Sequence, residues 1–225
     1  MGDTIASGSL TRHAMRTLDE WLEEAAAFHG HLCPGQILGV RMALLGCRLL
    51  GLNPEDPADR RRLIVYVEID RCLTDAIATV TGCRLGRRTL KHIDYGKAAA
   101  TFVDTRTGRA VRIVARDDAR ETALHLAPPG LSRAAAQRHA YRIMPDEDLF
   151  YARWVRVEIP PEDLPGHPIR RVFCARCGEG INDGREIVRD GEILCRACAE
   201  APYYTALEPI PLTGEVPIPI PPSMP

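Results

Sequence analysis

Residues 28–46 read FHGHLCPGQILGVRMALLG, and the parsing of this stretch decides the fold. Gly30 interrupts the helical pattern before it, and Pro34 suits a first helical position, where no amide hydrogen is needed. From there Ile37, Val40, Met42, Leu44, Leu45, Leu49 and Leu50 leave little polar circumference, so the helix they form is expected to be central rather than superficial. Gly39, Ala43, Gly46 and Cys47 add a stripe of small residues on which a second helix or a sheet can approach closely, despite the propensity cost of two glycines.

Upstream, Leu18, Trp21, Leu22, Ala25 and Phe28 follow helical spacing, with Thr17 and Glu20 as a capping box and a stop near His29 and Gly30. Downstream, Gly51 and NPEDPADRRR make a charged surface connection, and LIVYVEI, residues 63–69, reads as an apolar strand. Thr74 is expected to cap a short helix ending at Gly82, and 99–103 with 110–115 to pair as a hairpin about a Thr-Gly turn. Short helices over 119–127 and 132–143 precede an alternating strand, ARWVRVEI, residues 152–159. These elements favour an α+β fold, a mixed or antiparallel sheet packed with helices, over a repeated βαβ pattern.

Near the C-terminus, Cys174, Cys177, Cys195 and Cys198 form two CxxC pairs separated by 17 residues. This spacing lets four thiolates close a tetrahedron about one structural zinc ion per chain, and the segment is too short to fold on its own core. The module has treble-clef or ribbon character, and its second cysteine pair is expected to open a helix. Four thiolates leave no vacant position for catalysis. Arg176, Arg185, Arg189 and Arg196 alternate with Glu179, Asp183, Glu186, Asp190 and Glu192, so no basic stripe is available for phosphates, and protein contact or domain stabilisation is the economical role. The expected organisation is a core over 1–160, a linker over 161–171, the zinc module over 172–203 and a proline-rich extended tail over 204–225.

Composition narrows the function classes. Across 225 residues, 29 Lys and Arg face 30 Asp and Glu, which gives no positive field for nucleic acid or an anionic membrane. No run of about 18 apolar residues is present and MGDTIASGSL carries no export pattern, so a cytoplasmic, non-membrane protein is expected. Eight cysteines in that compartment point to metal ligands or reactive thiols before disulfides.

His29, His31 and Cys33 sit two residues apart at the expected helix break, where an extended or turning backbone can aim all three at one cavity, and Cys72, just after a buried strand, can enter the same space. Two chemistries suit the set. One is soft-metal binding by Cys33 and Cys72 with one or both histidines, leaving a position open; the other is a Cys33 nucleophile assisted by a histidine. Against both stands ordinary burial of small hydrophobic cysteines and structurally bonded histidines. Cys47 reads as core, and Cys83 as an outer candidate. Arg84, Arg87, Arg88 and Lys91 make a local basic patch suited to an anionic small molecule or simply to a charged loop. Asp94 and Lys97 suit an ion pair beside a turn at Tyr95 and Gly96.

FHGHLCPG, followed by CLTDAIATVTGC and DYGKAAATF, resembles the FmdE family associated with formylmethanofuran dehydrogenase, over about residues 21–199 and including the small C-terminal zinc domain found in many members. Carried onto this chain, the family's histidine and cysteine motif is His31 and Cys33 with neighbouring His29, its central cysteine and acid are Cys72 and Asp75, and its later glycine and lysine are Gly96 and Lys97. The resemblance implies an α+β core, a homodimer and a metal-binding cleft for a second transition-metal ion. In that cleft Asp75 would hold a histidine tautomer and Lys97 would orient an anion or substrate. It also implies an accessory role beside a molybdenum or tungsten oxidoreductase in molybdopterin-dependent one-carbon metabolism. No pterin fingerprint or iron–sulfur cysteine spacing marks this chain as a complete redox enzyme. The competing expectations are a small metal- or thiol-dependent enzyme and a zinc-ribbon protein-interaction module.

Overall fold

A computed structural model describes residues 15–207 together with 210 and 212, so most of the expected proline-rich tail lies outside the described residues. Thr17 opens α1 (Leu18–His29) with both bonds of the capping box, and Gly30 closes it in the left-handed conformation. Pro34 is the first residue of α2 (Pro34–Leu50). The charged connection after it contains a short helix, α3 (Pro57–Arg61), because Asp56 caps Ala58 and Pro57 pre-sets the first helical dihedral. The first unit continues through β1 (Leu63–Val67), α4 (Cys72–Thr81), β2 (Leu90–His92), β3 (Ala99–Asp104), β4 (Ala110–Ala115), α5 (Ala119–Leu126), α6 (Arg133–Ile143), α7 (Asp146–Leu149) and β5 (Phe150–Val155).

The sheet order is β2-β1-β3-β4-β5, with β1 and β2 parallel and every other pair antiparallel. A parallel neighbour needs a crossover, and α4 supplies it between β1 and β2. This is the mixed sheet that the sequence predicts. The helix-facing side carries Leu63, Val65, Val67, Ala100, Phe102, Val111 and Ile113, all in the main core with the inner faces of α1, α2 and α4. The small-residue stripe explains how α2 fits there: a Cβ on Gly46 would stand 2.5 Å from the Phe102 ring, and one on Gly39 would stand 2.5 Å from the Leu73 carbonyl oxygen at the start of α4.

Two boundaries differ from expectation. The helix assigned to start after Thr74 begins at Cys72, and the Thr74 hydroxyl donates back to the Ile69 carbonyl instead of capping. The last strand begins at Phe150, where register with Ala115 overrides the local alternation. β2 was not expected, since three residues carry no readable period. Residues 161–163 form a single 3₁₀ turn in the segment expected as linker, and the Asp163 carbonyl accepts from Lys91 Nζ at 2.6 Å.

A buried ion pair closes the β3–β4 hairpin. Asp104, 1% exposed, accepts from Arg62 Nε at 2.7 Å, from a second Arg62 nitrogen, from Thr107 Oγ1 at 2.7 Å and from the Arg106 amide at 3.1 Å. The Arg62 guanidinium, helped by Thr107 and the Arg106 amide, holds the Asp104 carboxyl well below the usual carboxylate range. A folded pKa below the unfolded value of about 3.9 means that this stabilisation is complete at neutral pH and is lost as pH falls through the folded pKa. Asp104→Asn is expected to cost about 2–3 kcal/mol at pH 7, less than a fully buried pair because Arg62 keeps an edge in water. The gap should narrow by about 1 kcal/mol at pH 3. Urea midpoints at the two pH values test this, and a pH-independent gap would reject it.

The second compact unit begins at His167. It contains the hairpin β6 (Arg171–Phe173) with β7 (Gly180–Asn182), the hairpin β8 (Ile187–Arg189) with β9 (Glu192–Leu194), and the single turn α8 (Arg196–Ala199). Its core is four buried residues, Cys174, Ile181, Leu194 and Ala199, with Val172, Ile187, Cys195 and Cys198 packed against them.

Candidate metal centres

Three helix ends meet in the first unit. His29 is the last residue of α1; Gly30, at φ 94°, turns the chain so that Cys33 becomes the N-cap of α2; and Cys72, delivered by the end of β1, is the first residue of α4. One ligand atom each from His29, Cys33 and Cys72 lies within 4.8 Å of the other two. All three side chains are partly buried.

Asp75, one turn into α4, places Oδ2 2.8 Å from His29 Nδ1. A carboxylate there selects the tautomer with the proton on Nδ1, which leaves the Nε2 lone pair free to bind a metal. The exposed His31 ring has its centroid 4.9 Å from that of His29, but His31 contributes no atom to the three-residue group.

Close helix approach makes the convergence feasible. A Cβ on Gly35 would stand 3.1 Å from Cys72 Cβ and 3.7 Å from Cys33 Sγ, so α2 presents bare backbone to the thiols. Opposing influences act on Cys72. Its place at a helix start favours thiolate, whereas burial and the hydrogen bond and charge of Cys33 raise its pKa above the ordinary value, and the second influence prevails. A cation between two sulfurs would reverse that balance.

Other sequence candidates lie elsewhere. Lys97 is exposed with Nζ 5.7 Å from the Tyr95 ring centroid, and Asp94, instead of pairing with it, accepts from the Gly96 amide at 3.1 Å. Cys83 is in the core, 1% exposed, with Sγ 3.6 Å from the Leu63 carbonyl, and burial raises its pKa. Burial, with the neighbouring Cys83, pushes Cys47 up to about 12, as a core thiol should be. Within the basic patch, Arg84 is spent on the Ala78 and Cys83 carbonyls and Lys91 on that of Asp163.

Gln36 was missed. It is fully buried, its backbone amide donates to the Cys33 carbonyl at 3.1 Å, and its Nε2 donates to the Cys72 carbonyl at 2.6 Å. The signal was present: extending the Gly39, Ala43, Gly46 stripe back by three residues reaches 36.

In the second unit, Cys174, Cys177, Cys195 and Cys198 have ligand atoms mutually within 4.8 Å. Cys177 Sγ and Cys195 Sγ are 3.9 Å apart, close to the edge of about 3.8 Å for a tetrahedron with zinc–sulfur bonds of about 2.3 Å. Gly178, at φ 74°, turns the chain beyond the first pair, and Cys195 caps α8, whose single turn ends at Ala199 rather than near Pro202. Backbone N–H groups of Cys177, Cys195 and Arg176 hold Cys174 at about 6, as a zinc thiolate requires. The donor set and its geometry fit zinc, and this is a compact zinc-binding module.

A family model described as "FmdE, Molybdenum formylmethanofuran dehydrogenase operon" matches residues 28–151, more than half of the chain. The chain belongs to the FmdE family. The model spans Cys33, Cys72 and Asp75, and the FmdE domain is joined to a region, residues 168–204, that matches the "Prokaryotic dksA/traR C4-type zinc finger". A relative from Archaeoglobus fulgidus named "Probable S-adenosyl-L-methionine-binding protein" is 33% identical over 208 residues, or 84% of this chain. The chain spans 55% of that relative's length. A crystal structure of an FmdE-like protein of tungsten formylmethanofuran dehydrogenase, from Syntrophus aciditrophicus, covers 90% of this chain and 100% of its own, at 24% identity and a TM-score of 0.55. That likeness shows the FmdE fold. Among the described residues no helix is long and apolar enough to cross a membrane.

Proposed function

We propose that the FmdE domain holds a second, soft transition-metal ion through His29, Cys33 and Cys72, and that the protein is a homodimeric accessory to a molybdenum or tungsten oxidoreductase of one-carbon metabolism. The observation that carries the metal reading is the three-residue convergence, with Asp75 on the far nitrogen of His29. Two thiolates and one imidazole suit zinc, cobalt or iron better than magnesium or calcium. A metal held by only three side chains would supply Lewis acidity at an open position, in contrast to the closed four-cysteine site. The accessory role rests on the family description and on the name of the Syntrophus relative.

The open position also favours a second reading, a small metal-dependent enzyme. The archaeal relative's name makes S-adenosyl-L-methionine the first ligand to try. In either case His29 and the two cysteines bind, Asp75 orients, and His31, beside His29 and in solvent, is placed to exchange protons with an incoming ligand.

Cobalt added to the full chain with zinc already in the four-cysteine site is expected to produce a thiolate-to-cobalt absorption band. Cys72→Ser should abolish the band, and Asp75→Asn should weaken cobalt binding by about tenfold. A wild-type chain without the band, or a Cys72→Ser chain that keeps it, would reject the second site. Recovery of a molybdenum or tungsten enzyme with the tagged protein separates the accessory role from turnover by the isolated dimer.

A further inference from the structure

The buried amide of Gln36 has no evident place in an apolar helix face. Around it Ile37, Gly39, Val40 and Ala43 are all buried and apolar or small. Burying an amide is costly unless both ends are bonded, and only the donor end is: Oε1 is buried without a hydrogen-bond partner. A methionine of similar length would fill the same volume with no such cost. Fold stability alone therefore does not account for glutamine here.

What glutamine adds is a directional tie between the two cysteines. Its main-chain nitrogen bonds the Cys33 carbonyl, and its side chain bonds the Cys72 carbonyl. The glycine contacts at 35 and 39 let α4 come close to α2, but dispersion contacts are individually weak and non-directional, and permit sliding of one helix start past the other. A 2.6 Å hydrogen bond from a buried, rotamer-restricted side chain fixes that register.

We propose that Gln36 is the positioning residue of the His29, Cys33 and Cys72 cluster: by tying the Cys72 carbonyl to the first turn of α2 it sets the separation of the two thiols, and so the metal affinity of a site it does not itself ligate. The inference rests on the second-site reading. The Cys72 carbonyl keeps its bond within α4 when Gln36 is replaced, so the change falls on thiol placement rather than on helix integrity.

The test is cobalt titration of the full chain with zinc in the four-cysteine site, comparing wild type with Gln36→Met and with Gln36→Asn, which retracts the amide by one methylene. Gln36→Met is expected to keep the wild-type melting temperature, to bind cobalt about 10- to 100-fold more weakly and to shift the ligand-field bands; Gln36→Asn should show the same spectral shift. Wild-type affinity and spectrum in Gln36→Met would overturn the proposal. So would failure of both variants to fold, or a loss of affinity that only tracks a loss of melting temperature, because the role would then be merely structural. A wild-type chain that shows no thiolate-to-cobalt band, or a Cys72→Ser chain that retains it, brings down the metal site itself and the inference with it. A normal wild-type band with unaffected Gln36 variants brings down the inference alone.

Discussion

Replacing Cys174 and Cys177 together by alanine is expected to remove about one zinc ion per chain and to unfold the second unit. Zinc held by four thiolates contributes about 10–16 kcal/mol of apparent binding free energy in small modules, comparable with the whole stability of an ordinary domain. Four buried residues, one of them a ligand, cannot replace it. The hairpins of three-residue strands depend on the metal as well, since two isolated strands are at best marginal in water. The first unit has its own core and should persist. Metal analysis with amide exchange resolved by segment reads both effects: protection should vanish beyond residue 167 and survive in β1, β3 and β4. Retained zinc, or retained protection of the second unit without it, would refute the four-cysteine assignment.

The second large effect is expected from a single methyl group. Gly39→Ala gains about 1 kcal/mol of intrinsic helix propensity. The new Cβ, however, would stand 2.5 Å from the Leu73 carbonyl oxygen and 2.6 Å from Ala76 Cβ. Neither neighbour is the end of a flexible chain; one is helix backbone and the other a methyl fixed to it. Overpacking of this kind costs about 3 kcal/mol or more, so the clash wins and a net loss of about 2–3 kcal/mol is expected. That corresponds to a fall of roughly 5–10 °C in melting temperature for a unit of this size. Gly86→Ala is the control, because a Cβ there meets nothing within 4 Å and should leave the melting temperature unchanged. Since α4 would have to move away from α2, Gly39→Ala should also weaken cobalt binding at the Cys33 and Cys72 pair. Equal melting temperatures for the two variants would show that the helices do not approach as described.

Local chemistry accounts for much of what was legible. Thr17 and Glu20, Gly30, Pro34 and Gly51 mark helix ends through caps and dihedrals that depend only on neighbours in sequence, and the structure puts the ends of α1 and α2 there. The hairpin of β3 and β4 was readable from two apolar runs about a Thr-Gly turn. Where boundaries were missed, the missing information was a partner. β5 starts at Phe150 because Ala115 stands opposite, and β2 exists because the crossover through α4 lays it beside β1. Thr74 offered a good capping residue, but the helix had already begun at Cys72, packed beneath Gly35.

The candidate sites divide in the same way. By itself the sequence determined the zinc module, since two CxxC pairs on short hairpins carry their geometry within about thirty residues of chain. It also determined that His29, Cys33 and Cys72 were worth pairing, since each falls at a predicted helix or strand end. Tertiary structure alone decided which of them meet. His29 joins the thiols while His31 stays in solvent, because the left-handed turn at Gly30 sends one imidazole toward Asp75 and the other outward. Cys83, equally eligible as a residue type, packs into the core against the Leu63 carbonyl. Gln36 became visible only when α4 was laid against α2, because a buried amide is defined by what it bonds, and its partner, the Cys72 carbonyl, is 36 residues further along the chain.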